Sequence, residues 1–261
     1  MNFFLELTRC LLILAIVSLL NACGHFNKPH PLQDQLAISM DPLSMEILSQ
    51  IRRDNALLHS FKGLGDIKLS QNNRRISLRL AVAGIYPDRF RLAIMDISGR
   101  VIETFSYDGK FVYLQSPNGS HPFFKKKSNR KIMEKLISIP VLPEDIIGLL
   151  AGRPLFGIYD KAMAKILPDS CKQLDLFNGS KQVATILISS DDKISTIEKY
   201  EKSSTPLYKV SVLSYASYAS FNLPSSFLIE NGEGASCRID LKNYWPNSNP
   251  SSDIFTLKDS L

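Results

Sequence analysis

The chain has 261 residues, of which 44% are hydrophobic and 21% charged, proportions that exclude a disordered tail and can furnish one sizeable core. Lys and Arg number 31 against 25 Asp and Glu, and the resulting +6 suits an anionic surface about as well as a nucleic acid. Four scattered cysteines exclude a disulfide-dense miniprotein and any obvious zinc cluster.

After Arg9 the chain runs apolar from Leu11 to Leu20. That run is shorter than the roughly 20 residues that span a bilayer, and it fits the hydrophobic region of a secretory signal. Leu20-Asn21-Ala22-Cys23 then resembles the bacterial lipobox. The resemblance implies a signal peptide over 1–22 and lipidation of Cys23 by palmitate-class acyl chains, several of which anchor a protein stably. The alternative is an ordinary signal peptide with a chance cysteine. Gly24, where an inner-membrane retention signal favours Asp, points to the outer membrane, with the domain facing the periplasm. Cys171 and Cys237 either pair in that oxidising compartment or stay separate as small buried hydrophobes.

Residues 23–40 are polar and carry Pro29 and Pro31, the composition of a flexible tether. Asp41-Pro42 predicts a helix start, with an apolar stripe of Leu43, Ile47, Ile51 and Leu58 and an end near His59-Ser60. From Phe61 the period changes to two. Ile76 to Val82, Phe90 to Ile94, Val101 to Tyr107 and Lys110 to Gln115 read as strands, the last two joined at Asp108-Gly109. Arg130–Ile139 and Pro143–Leu150 read as helices, the second stopped by Gly152 and Pro154. Six more strands are expected between Leu174 and Leu241, with hairpins at Asn178-Gly179 and Asn231-Gly232. The expected class is α+β: an open, incomplete antiparallel β-barrel of about ten to eleven strands with helices covering its concave face. One domain is expected over 41–245, followed by a tail over 246–261.

Three stretches then resemble the LolB family of outer-membrane lipoprotein receptors, within the LolA-like superfamily of periplasmic lipoprotein carriers. They are Arg89-Phe90-Arg91-Leu92 leading to Ser98-Gly99 and Ile102–Phe105, the run Pro140–Pro154, and Pro224–Glu230 with Arg238–Trp245. The likeness covers about residues 45–245. It implies an apolar cavity that receives acyl chains of lipoproteins from a LolA-like periplasmic carrier and passes them to outer-membrane lipids, with no cofactor and no nucleic acid. At the position of the family's protruding leucine this chain has Ser98, preceded by Ile97. Either Ile97 takes the membrane-contact role or the delivery step is missing.

On this reading Leu78, Leu80, Val82, Phe90, Leu92 and Ile94 are candidate cavity lining, and Ile146, Leu149 and Leu150 its lid. The same residues would equally fill a solid core, which would make the chain a lipid-anchored structural or interaction module without transfer activity. Lys125-Lys126-Lys127 with Arg130, Lys131 and Lys135 would sit on anionic headgroups or form a solvated face. No enzyme is expected. None of the four histidines has zinc-site spacing, there is no Gly-x-Ser-x-Gly elbow, and Gly63-Leu64-Gly65 lacks the third glycine of a dinucleotide loop. Asp191-Asp192 and Glu144-Asp145 sit where turn and helix capping explain them.

Overall fold

The computed structural model describes residues 39–259 apart from 73, 202 and 203. Cys23 and the tether up to residue 38 lie outside the described residues.

Strand β1 (Ser39–Met40) leads into helix α1 (Pro42–Arg53). Pro42 presets the first helical φ, and Asp41 Oδ1 accepts from the Ser44 N–H at 2.8 Å. Ile47, Leu48 and Ile51 bury one face of α1, while Arg52 and Arg53 face solvent. The helix ends at Arg53, not near His59, because Asp54 and Asn55 (φ +54°) leave the helical region. Leu58 still reaches the core, from the loop.

An antiparallel meander follows: β2 (Ser60–Gln71), β3 (Arg74–Ile85), β4 (Arg89–Met95), β5 (Val101–Tyr107), β6 (Phe111–Gln115) and β7 (Phe124–Lys127). Helices α2 (Arg130–Ile137) and α3 (Pro143–Leu150) interrupt it. Gly152 (φ +61°) stops α3, with the Arg153 N–H returning to the Gly148 carbonyl at 2.8 Å. The second meander is β8 (Lys161–Ile166), β9 (Lys172–Asn178), β10 (Lys181–Ile188), β11 (Ile194–Lys199), β12 (Tyr208–Tyr218), β13 (Phe221–Glu230) and β14 (Ser236–Pro246). Pairing of β14 with β2 fuses the two meanders into one sheet of fourteen strands, ordered β1-β8-β9-β10-β11-β12-β13-β14-β2-β3-β4-β5-β6-β7. Thirteen strands run antiparallel; β1 alone pairs parallel, with β8.

The sheet therefore has three strands beyond the upper count of eleven expected. β1 has two residues, β7 is three lysines after a phenylalanine, and β8 alternates weakly, so none carries a strand's hydrophobic period. The sheet is open, with β1 and β7 as its free edges, and it is not closed into a barrel. It nevertheless bends around its helices. Tyr107 of β5 donates to Glu144 and Tyr208 of β12 donates to Asp145, both on the first turn of α3. β5 and β12 are six strands apart in the order, roughly 29 Å if the sheet were flat, so only a curled sheet lets both reach one helix.

At Gly65 the register with β14 shifts between Leu241 and Asn243, and a Cβ there would lie 2.1 Å from the Asp240 carbonyl. Only glycine admits that approach of the backbones, and the extra residue bends β14. The stretch expected as a tail is packed. A 3₁₀ turn (Ser252–Phe255) lies on the outer face of β4 and buries Phe255 and Leu257. These residues belong to a unit that runs from 37 to 261.

Candidate functional site

The residues expected to line a cavity and its lid are packed in the core or against it. Leu80 and Val82 of β3, Phe90 and Leu92 of β4, and Ile146, Leu149 and Leu150 of α3 are buried in one continuous core. Leu78 and Ile94 flank that core, partly buried. Phe90 stacks obliquely on Phe105 with ring centres 5.6 Å apart. Helix α3 lies over β4 and β13, with its acidic first turn pinned as described.

Open space lies against the other wall. A cleft of about 480 Å³ runs between α1 and the inner ends of β10, β11 and β12, within the range of small-ligand pockets. Ile47 and Ile51 line one side, and Ile188, Ile194 and Tyr215 the other. The Tyr215 hydroxyl donates to the Ile194 carbonyl at 2.8 Å, and burial raises its pKa. The rim is charged. Lys172 pairs with Asp192 at 2.6 Å and Lys193 with Asp191 at 2.8 Å, bracing the β10–β11 turn. Glu46, Gln50 and Arg53 of α1, with Asp54 and Asn55 just after it, complete it, and burial raises the Asp54 carboxyl. The period of α1 exposes Ile47 and Ile51 in the sequence as one stripe, but nothing in it distinguishes a stripe that packs from one that borders a gap. The paired Asp191-Asp192 turn does hold a hairpin, and that hairpin is the cleft's rim.

A second, shallower groove of about 330 Å³ lies on the outer face of β14, β2, β3 and β4. Ala81, Ala83 and Ala93 floor it, Leu64 and Trp245 wall it, and Lys62 and Arg91 flank it. Of the nine candidate lining residues only Val82 borders either space, and it borders this one.

Ile97 sits at the tip of the β4–β5 hairpin with 93% of its surface exposed. Asp96 fixes the turn beneath it, accepting from the Ser98 N–H at 2.9 Å, the Ser98 hydroxyl at 2.6 Å and the Arg100 N–H at 3.0 Å. These bonds, the Ser98 hydroxyl foremost, hold the Asp96 pKa at about 2. The isoleucine is thus presented by an ordered loop.

Cys171, half-buried, and Cys237 are both free thiols in the structure. Cys237 is buried in β14, and burial pushes its pKa up to about 12. Among the described residues no three His, Cys, Asp or Glu side chains are grouped to hold a metal ion. No helix among them is long and apolar enough to cross a membrane.

No family model matches the sequence, and no curated protein matches it. Solved structures do resemble it. A DUF1329 family protein from Desulfovibrio piger superposes with a TM-score of 0.62 at 11% identity, over 82% of this chain and 96% of its own. A LolA superfamily protein from Nitrosomonas europaea gives 0.56 at 15% identity, over 82% and 97%. A domain from Vibrio parahaemolyticus described as an outer membrane lipoprotein-sorting protein gives 0.57 at 11% identity, over 81% and 95%. At these identities the likeness is one of fold, and the chain has the LolA-like fold.

Proposed function

We propose that this chain is a lipid-anchored, non-enzymatic lipoprotein of the outer membrane that binds acyl chains of lipoproteins and passes them to the bilayer, as a LolB-type receptor supplied by a LolA-like carrier. The observation that carries this reading is the fold shared with the lipoprotein-sorting domain, together with a cleft between α1 and β10–β12 that sets Ile47, Ile51, Ile188, Ile194 and Tyr215 among mostly polar and charged side chains. A hydrocarbon chain needs a dry concavity and no catalytic group. Burying roughly 300 Å² of it contributes on the order of 7 kcal/mol before the costs of association. In this scheme Cys23 is the anchor and Ile97 is the side chain offered to lipid.

A second reading is favoured by the packing itself. Seven of the nine candidate lining residues, Leu80, Val82, Phe90, Leu92, Ile146, Leu149 and Leu150, are buried in a filled core, as in an anchored interaction module with no transfer step.

One titration separates the two. The unit 37–261 is mixed with a fluorescent fatty-acid analogue. The carrier reading expects saturable enhancement that Ile194→Glu weakens at least tenfold while the melting temperature holds. No enhancement, together with normal lipoprotein sorting in a depleted strain, defeats the carrier reading and leaves the module.

A further inference from the structure

Residues 124–138 contain six cations and one carboxylate, Glu134. They form β7, the last strand at one edge of the sheet, and α2, joined through the Asn129 cap. Lys125, Lys126, Lys127, Lys131 and Lys135 are all exposed. Arg130 is neutralised by Glu201 at 2.9 Å, but none of the five lysines forms an ion pair among the described residues. Lys125 instead lies over the rings of Phe111 and Tyr113, 4.8 and 5.3 Å from their centres, and Lys110 joins it over Phe111.

Protection of a free sheet edge explains lysines on β7. It does not explain Lys131 and Lys135, which stand one turn apart on α2. Like charges at that spacing repel in water, and a surface of opposite sign relieves them. Neither cavity described above is lined by any of these side chains, so the ribbon offers charge without a concavity. A partner read by shape would need a groove; a sheet of anionic headgroups does not. Phe111, Phe123 and Phe124 lie half-buried among the lysines, the mix of aromatic and long cationic side chains that suits a bilayer interface. The carboxylates Glu46, Asp54, Asp191 and Asp192 lie instead at the cleft in the other wall, where Arg53, Lys172 and Lys193 offset most of their charge, so no comparable excess of one sign stands there.

We infer that the β7–α2 ribbon is the surface by which this domain lies on an anionic bilayer leaflet, its lysines on lipid phosphates. This docking does not depend on whether the cleft binds an acyl chain.

The test uses the unit 37–261, which contains the whole core and no lipid anchor. It is co-sedimented with phosphatidylcholine vesicles with and without phosphatidylglycerol. Binding is expected only where phosphatidylglycerol is present, and is expected to vanish at about 1 M salt, where the Debye length is roughly 3 Å. Each lysine removed is worth roughly fivefold in partitioning, so Lys126→Gln/Lys127→Gln/Lys131→Gln weakens binding roughly a hundredfold. These side chains are exposed, so the melting temperature stays put. Lys161→Gln/Lys165→Gln/Lys181→Gln removes the same charge elsewhere and should bind nearly as well as the parent. The inference is overturned if phosphatidylglycerol vesicles do not retain the protein, or if both triple variants weaken alike. It is also overturned if polyglutamate captures the protein through these lysines while vesicles do not, which would assign the ribbon to an acidic protein.

Discussion

Tyr208 donates its hydroxyl to Asp145 Oδ2 over 2.6 Å, and Lys199 Nζ stands 3.1 Å from Asp145 Oδ1, all three side chains buried. Lys199 also donates to the Leu155 carbonyl at 2.6 Å, so one ammonium ties α3 to the segment that follows it. Burial first, and then the Asp145 charge, raise the Tyr208 hydroxyl well above its ordinary pKa, so it remains a donor. A buried ion pair adds little net stability, but removing one partner strands the other. Lys199→Met is therefore expected to cost about 3–5 kcal/mol, and Tyr208→Phe about 1–3 kcal/mol, in urea unfolding. Lys199→Met/Asp145→Leu/Tyr208→Phe, which leaves neither a charge nor the tyrosine hydroxyl stranded, should recover most of the loss. A neutral single Lys199→Met would mean that water reaches the carboxylate.

Ile97 depends on Asp96 rather than on packing. Because the Asp96 pKa is depressed to about 2, the hold of the turn is complete above the ordinary 3.8 and fades as pH falls through about 2. The carboxyl resonance of Asp96 should titrate with a midpoint near 2; a midpoint near 3.8 would show the turn open in solution. Asp96→Ala should broaden the Ile97 amide signal. Ile97→Glu should change stability by less than about 0.5 kcal/mol, since nothing packs on the side chain.

His121 brackets Pro122 and Glu103, with Nδ1 2.8 Å from the Pro122 carbonyl and Nε2 2.8 Å from Glu103 Oε2. The carbonyl first, and then the carboxylate, raise the imidazole above its ordinary 6.5. A raised value means that the contribution to stability is complete below 6.5 and is lost as pH rises through the folded-state pKa. Ring-proton titration should find a midpoint above 6.5, lowered by Glu103→Gln. An unchanged midpoint in that variant would show the pair absent in solution.

Much of this architecture is legible in local pattern. Asp41-Pro42, Asp108-Gly109, Asn178-Gly179 and Gly152 punctuate the elements where their backbone chemistry predicts, and the period-two runs are strands. What the sequence hides is non-local. β7 is a strand because β6 leaves an edge beside it, not because Phe-Lys-Lys-Lys prefers extension. Ile47, Ile51 and Ile188 both join the filled core and border the open cleft, and the charged residues around them come from separate stretches of the chain that only the fold brings together. Phe255 has no periodic partner in sequence; its site is made by strands more than a hundred residues earlier.

That site offers the last test. Phe255 is fully buried on the outer face, outside the main core, with its carbonyl accepting from Ser106 Oγ at 2.7 Å. Arg91 Nη1 donates to the Ile254 carbonyl at 3.2 Å, and Gln115 Nε2 to the Lys258 carbonyl at 3.2 Å. Removing a buried Phe ring ordinarily costs about 3–5 kcal/mol, because the surroundings cannot close the hole. Here the strap is a single turn held side-on, so it can lift instead of keeping a cavity, and the cost cannot exceed the strap's own docking energy. Phe255→Ala and truncation after Asn249 should therefore lower stability by the same amount, about 3 kcal/mol or less. Truncation would also bare Ser106 and Thr104, which hydrate without penalty. A Phe255→Ala loss well above that of truncation would show that the strap stays down over an empty pocket, and that its polar bonds, rather than its ring, hold it to the sheet.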